Sequence, residues 1–327
     1  MLYGDRMKKT VIFALCIVIL LTACTSSVPA ECEIFAMDTF MTVRIWGETE
    51  RLNEVTQLIR TLDATLSAEL ETSDIYAINQ NKNGIVSDLT IELINKALYY
   101  SAETDGAFDP TIYPLVCQWR SAADTPPTPN LEPIGYQNIS ISGDEITLKS
   151  ESALDFGGIG KGFAAQKSVE LLKESEVEAA ILSLGGNVQT LGAKPDGSKW
   201  AIGIADPSAP NEHIAVVEFE GSMALVTSGS YQRYYEIGGE KYHHILNPKT
   251  GYPAENELAS VTILTQNGTM ADAFSTALFV MGLEKASEFW RSRNDFDAVF
   301  ILKDGSIMAT DGAALLLKEC EFTVIER

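Results

Sequence analysis

The chain has 327 residues, with 24 Lys and Arg against 45 Asp and Glu, and a formal net charge of −21 at pH 7. So acidic a protein is a poor candidate for binding nucleic acid, because phosphate recognition needs clustered Lys and Arg. Beyond residue 24 its cysteines are Cys32, Cys117 and Cys320, too widely spaced for a disulfide framework, and three histidines without a C-x-x-C pair argue against a structural zinc site.

In chain order, Arg6-Met7-Lys8-Lys9 is a short basic stretch ahead of the apolar run Thr10 to Leu21, which closes in Leu21-Thr22-Ala23-Cys24. The run is shorter than the ~20 residues a spanning helix needs, and small residues precede the cysteine. We read residues 1–23 as a lipoprotein signal peptide starting at Met7 and Cys24 as the lipidated residue. The expectation is an exported protein held at a membrane, with residues 24–33 as tether and 34–327 as one folded domain.

Ile34 to Trp46 is rich in β-branched and aromatic residues and predicts one strand ending at Gly47. Leu52, Val55, Leu58, Ile59 and Leu62 repeat at helical spacing, predicting a helix from Thr49 to about Leu70, and Leu89 to Thr104 predicts another. The prolines of Ala122 to Pro133 mark a surface connection. A hairpin at Gly143-Asp144 follows, then a helix from Phe163 to Glu174 and a strand from Ala179 to Leu184 stopped by two glycines. Strands are expected near 200–205, 214–219, 223–227 and 259–265, with a hairpin at Gly238-Gly239. Helices over 270–281 and on to Arg293, and a hairpin through Lys303-Asp304-Gly305, complete an α+β pattern without βαβ repetition.

Asp155-Phe156-Gly157-Gly158-Ile159-Gly160-Lys161-Gly162 is the densest chemical signal. Glycine lets backbone approach a ligand, and free amides at a helix start favour an anion. The segment fits neither the Walker A spacing nor a dinucleotide fingerprint, so a structural glycine turn is the competing reading. Asp272 and Thr276 lie four apart on a helix face, an oxygen pair suited to Mg²⁺; alternatively Asp272 only complements a helix start. His243-His244 supplies the adjacent imidazoles, one of which could simply be a surface residue. Lys249-Thr250-Gly251 occurs in penicillin-binding enzymes, but Ser-x-x-Lys, Ser-Asp-Asn and Gly-x-Ser-x-Gly are absent, so serine acyl transfer is set aside. Thr227 to Tyr231 and Gly106 to Pro110 are weak turn signals taken singly.

Taken in order, Met37-Asp38-Thr39, the Ser67 to Asn79 stretch, Gly106 to Pro110, Asp155 to Gly162, Leu184 to Asn187, Thr227-Ser228-Gly229, His244 to Pro253 and Ala271-Asp272 to Thr276 resemble the ApbE family of FAD:protein FMN transferases. The resemblance covers about Met37 to Gly282. It implies an ApbE-like α+β fold with FAD in a cleft and its pyrophosphate held by Mg²⁺. It further implies transfer of FMN to a threonine or serine hydroxyl of an exported acceptor flavoprotein, such as an electron-transport subunit, with release of AMP. By that resemblance Met37, Ala107, Phe108, Asp109, Asp155, Lys161, Ser228, Gly229 and Leu246 would contact FAD. Asp272, Ser275, Thr276 and the carbonyl of Gly158 would hold the metal. We take His244 as the candidate base, with Asp272 as helper. Glu69 is a departure, standing where the family usually meets the flavin with Tyr, Trp or Asn, and it offers no aromatic face. Two other readings share these residues: an FAD pyrophosphatase yielding FMN and AMP, and a flavin-binding lipoprotein without turnover.

Overall fold

The computed structural model describes residues 28–149 and 151–327. The signal peptide, Cys24 and the first part of the tether lie outside the described residues. Among the described residues no helix is long and apolar enough to cross a membrane.

A nine-stranded sheet organises the molecule. Its order is Ala30–Ala36, Thr39–Trp46, Ala179–Leu184, Asn187–Leu191, Ala224–Gly229, Leu258–Thr265, Asp297–Leu302, Ile307–Thr310 and Thr323–Ile325. All neighbours are antiparallel except the last pair. Leu258–Thr265 is buried at every residue, as a central strand covered on both faces must be. On one face lie the helices Arg51–Leu66, Gly160–Lys173 and Gly268–Met281, whose apolar sides form the main core with Val43, Leu182, Val226 and Ile263. The other face is covered in part by a small sheet containing Trp200–Asp206 and Ala209–Phe219, where Trp46 meets Trp200 edge-on at 5.8 Å. A third cluster joins Leu115 and Trp119 to Ile237 and Leu246.

The α+β class and the three hairpin turns agree with the sequence reading. Elsewhere the boundaries move. The segment read as one strand is a hairpin: Ala30–Ala36 turns back through Met37 and Asp38, with φ of 49° and 57°, into Thr39–Trp46. Its first strand takes in four residues assigned to the tether. The Thr49 to Leu70 helix is confined to Arg51–Leu66, and Ala209–Phe219 begins five residues before the expected strand. Helices Asp74–Asn81 and Tyr113–Ser121 and the strand Asn187–Leu191 were not anticipated.

Candidate active site

Two glycines set the closest approach in the core of the site. A Cβ on Gly162 would stand 2.2 Å from the carbonyl oxygen of Gly268 and 2.5 Å from Cβ of Asp272. Only glycine allows helices Gly160–Lys173 and Gly268–Met281 to touch backbone to backbone there. The contact is tied by the Gly162 amide, which donates to Oδ2 of Asp272 at 2.7 Å. Helix Gly268–Met281 starts two residues earlier than expected, capped by Asn267, whose side chain accepts from the Met270 amide. Asp272 therefore sits in the second turn, buried, and is not a residue that merely complements the helix start.

One turn further on, the hydroxyl of Ser275 bonds the carbonyl of Asp272 at 2.9 Å, and Ser228 reaches across from its strand to Ser275 at 2.9 Å and Thr276 at 3.3 Å. Gly158 closes the ring: a Cβ there would lie 3.2 Å from the Thr276 hydroxyl and 3.4 Å from the Phe108 ring. One carboxylate, three hydroxyls and glycine backbone thus share a crease. Among the described residues there is no cluster of three His, Cys, Asp or Glu that would hold a metal alone. The oxygen set suits a hard cation that takes its remaining positions from phosphate and water, and Mg²⁺ fits it. Asp272, Ser275, Thr276 and the Gly158 carbonyl would hold it.

Asp155 and Lys161 bracket the glycine run. Oδ1 of Asp155 accepts from the Gly157 amide at 2.7 Å, and Lys161 folds back to the Gly157 carbonyl at 3.4 Å. Removal from water pushes the Asp155 carboxyl up, against the Gly157 amide and the nearby Arg120 and Lys161 charges that favour its ionised form. Asp109 is held within the protein. Both its oxygens are engaged, one by the Thr111 amide and hydroxyl at 2.8 and 2.6 Å, the other by the Tyr136 amide at 2.8 Å. It pins the turn that presents Ala107 and Phe108, and burial raises its pKa while those bonds lower it.

The rim is built from the Met37-Asp38 turn, Arg233 and His244. Arg233 donates to the Asp38 carbonyl at 3.0 Å, and its own carbonyl accepts from the His244 amide at 3.2 Å. Nδ1 of His244 lies 3.1 Å from that same carbonyl. A carbonyl can only accept, so Nδ1 carries the proton and Nε2 keeps its lone pair. Burial, with smaller contributions from Lys161 and Arg233, lowers the His244 pKa to about 4. His243 is turned inward instead, its Nε2 at 3.0 Å from the Ala254 carbonyl and its ring edge-on to Phe279. Leu246 is a core residue of the third cluster, bridged to Pro253.

Glu69, which stands where the family usually meets the flavin with Tyr, Trp or Asn, is ion-paired with Arg120. Arg120 projects from helix Tyr113–Ser121, and its charge is felt by Asp155 and by Tyr113 and Tyr235, whose phenols are pushed up to about 12 mainly by burial. Sequence reasoning missed Arg120, Arg233 and the two tyrosines. Pro114 at the start of Tyr113–Ser121, with Leu115 and Trp119 four apart, was the signal that would have placed Arg120 on a helix.

Glycine backbone and hydroxyls gathered around a buried carboxylate, on two helices packed against the mixed sheet of an α+β fold, are the arrangement of an enzyme site. Residues 37–300 match the ApbE family pattern, and the chain belongs to the ApbE family and to the transferases. A FAD:protein FMN transferase of Klebsiella pneumoniae is 32% identical over 280 residues, covering 81% of this chain and 87% of that protein. The crystal structure of the ApbE protein from Thermotoga maritima superposes with a TM-score of 0.81 at 29% identity, covering 89% of this chain and 100% of the other. The apo form of the flavinyl transferase ApbE from Pseudomonas stutzeri gives 0.76 at 29% identity, covering 88% and 96%.

Proposed function

We propose that this chain transfers FMN from FAD to a threonine or serine hydroxyl of an exported acceptor flavoprotein, such as an electron-transport subunit, in a Mg²⁺-dependent reaction. The observation that carries the reading is the crease of Asp272, Ser228, Ser275, Thr276 and Gly158, flanked by Lys161, whose charge is felt by His244. In the transfer, the acceptor hydroxyl oxygen bonds to the phosphorus of the FMN half, the anhydride bond to AMP breaks, and the hydroxyl proton leaves to a base. Nε2 of His244, unprotonated at neutral pH, is positioned to take it. The Lys161 ammonium, beside the glycine run, offsets negative charge gathering on the phosphates. A divalent ion at Asp272 would supply further electrostatic stabilisation of that charge. Phe108 and the Met37 turn would border the ring systems of the dinucleotide. Lipid on Cys24 would keep the enzyme at the membrane surface, near membrane-linked acceptors.

The Glu69–Arg120 pair favours keeping one second reading, hydrolysis of FAD to FMN and AMP, because a charged pair supplies a weaker platform for a flavin than an aromatic ring. The test is mass spectrometry of the products of the purified protein with FAD and Mg²⁺, with and without an exported flavoprotein domain as acceptor. An FMN-sized gain on the acceptor, lost with EDTA and in Asp272→Ala, is expected. Free FMN and AMP with an unmodified acceptor would favour the hydrolase, and intact FAD would leave only a binding protein.

A further inference from the structure

Asn187 opens a strand after the Gly185-Gly186 turn, and the reaction described above gives it nothing to do. It is only 2% exposed, and its side-chain nitrogen has no hydrogen-bond partner in the protein. Buried amides left unpaired are rare and costly, so an orphaned donor asks for a ligand.

Its place is fixed by strand register. Gln189, two residues along, bonds Gln166 of helix Gly160–Lys173 at 3.0 Å, so residues 187 and 189 both face the helices. Gln189 is opposite Ala224 and Asn187 opposite Val226; two residues beyond Val226 on the same face is Ser228, bonded to Ser275 and Thr276. Gln189 also packs against Gly268, at the start of the helix that carries Asp272, Ser275 and Thr276. Asn187 therefore lies between the level of Gly268 and the level of Ser275, on a strand that packs chiefly against helix Gly160–Lys173, whose Gly162 amide holds Asp272.

We infer that the Asn187 side-chain amide is a binding group for the phosphates of the dinucleotide, donating to a non-bridging oxygen. This rests on the FAD reading of the site. The surrounding side chains are compatible with it: Asp272 is engaged by the Gly162 amide and the three hydroxyls are engaged with one another, whereas the buried Asn187 amide is without a partner. An anion arriving in the crease is the acceptor it lacks.

Two readouts of opposite sign test this in the full chain. Asn187→Leu removes the orphaned donor at nearly constant shape, so the ligand-free protein should unfold at the same temperature as wild type or higher. The same variant should bind FAD, followed by flavin fluorescence in Mg²⁺, about tenfold or more weakly, the worth of a hydrogen bond to a charged group. Asn187→Asp, which places a negative charge there, should bind more weakly still. A less stable ligand-free Asn187→Leu would assign the amide a structural role and overturn the inference, as would unchanged FAD affinity. Inorganic pyrophosphate serves as the second probe. Should wild type bind pyrophosphate and not FAD, the dinucleotide reading fails while Asn187 is judged by the same comparison with pyrophosphate; binding of neither overturns both.

Discussion

Gly162→Ala is the sharpest test of how the site is held together. The added methyl would meet the Gly268 carbonyl oxygen at 2.2 Å and Asp272 Cβ at 2.5 Å. Neither neighbour can swing aside by side-chain rotation, so the helices must separate by roughly 1 Å to restore ordinary contact. Overpacking of this kind costs about 1–3 kcal/mol. Strain on the 2.7 Å bond from the Gly162 amide to Asp272 adds about 1.5–3 kcal/mol if that bond is lost. A total near 4 kcal/mol corresponds to a fall in unfolding temperature of about 10 °C at this chain length. Calorimetric unfolding of the ligand-free protein measures it. Gly158→Ala is the comparison: its Cβ would meet the Thr276 hydroxyl at 3.2 Å, a contact one side-chain rotation relieves, so the expected loss is under about 1 kcal/mol. A Gly162→Ala protein within about 0.5 kcal/mol of wild type would refute the idea that backbone contact between these helices sets the position of Asp272.

His244→Ala should slow transfer about 100-fold or more while leaving FAD affinity within a few fold; near-normal rates would remove it as the base. The same side chain shapes acid stability. Its pKa falls from 6.5 to about 4 on folding. Below pH 6.5 the unfolded chain gains a proton that the folded one refuses, so stability drops as pH falls towards 4, by at most about 3 kcal/mol. Subtracting denaturant curves of His244→Asn from wild type cancels the opposite trend from Asp109 and Asp155; a flat difference between pH 7 and 4 would contradict the burial argument. Glu69→Gln should change stability by less than about 0.5 kcal/mol, because both partners are more than half exposed, yet tighten FAD a few fold by removing an anion from the position proposed to meet the flavin. Weaker FAD binding, titrated by fluorescence, would mean that the pair is needed to position Arg120.

The parts of the protein that local sequence rules describe were readable, and those fixed by distant partners were not. Gly143, Gly238-Gly239 and Asp304-Gly305 announced their hairpins through turn chemistry. The hairpin at Met37-Asp38 did not, because no glycine or asparagine marks it. Its left-handed residues are held from afar, by Asp63 accepting the Met37 amide at 2.9 Å and by Arg233. Helix Asp74–Asn81 did carry a signal, Ser73 capping the Tyr76 amide at 2.9 Å, that a search for apolar periodicity passed over. In the candidate site, the motifs singled out Gly158, Asp272, Ser275 and Thr276, and the fold brings these four together. Arg120, Arg233 and Tyr235 were not singled out, since each acquires its role from charges and carbonyls brought by other segments. Asp109 was singled out by its motif, but its hold on the turn through Thr111 and Tyr136 is visible only in the fold.

The bond from Gly162 to Asp272 joins residues 110 positions apart in the chain. Bringing two such distant residues together costs loop-closure entropy that other native contacts must offset, so the crease is expected to form late in folding. Dinucleotide capture would then favour the finished molecule alone, and excess ligand would raise its unfolding free energy through mass action. Ligand occupancy becomes a report of folding completeness: a preparation in which only part of the chains bind would contain chains whose halves never closed.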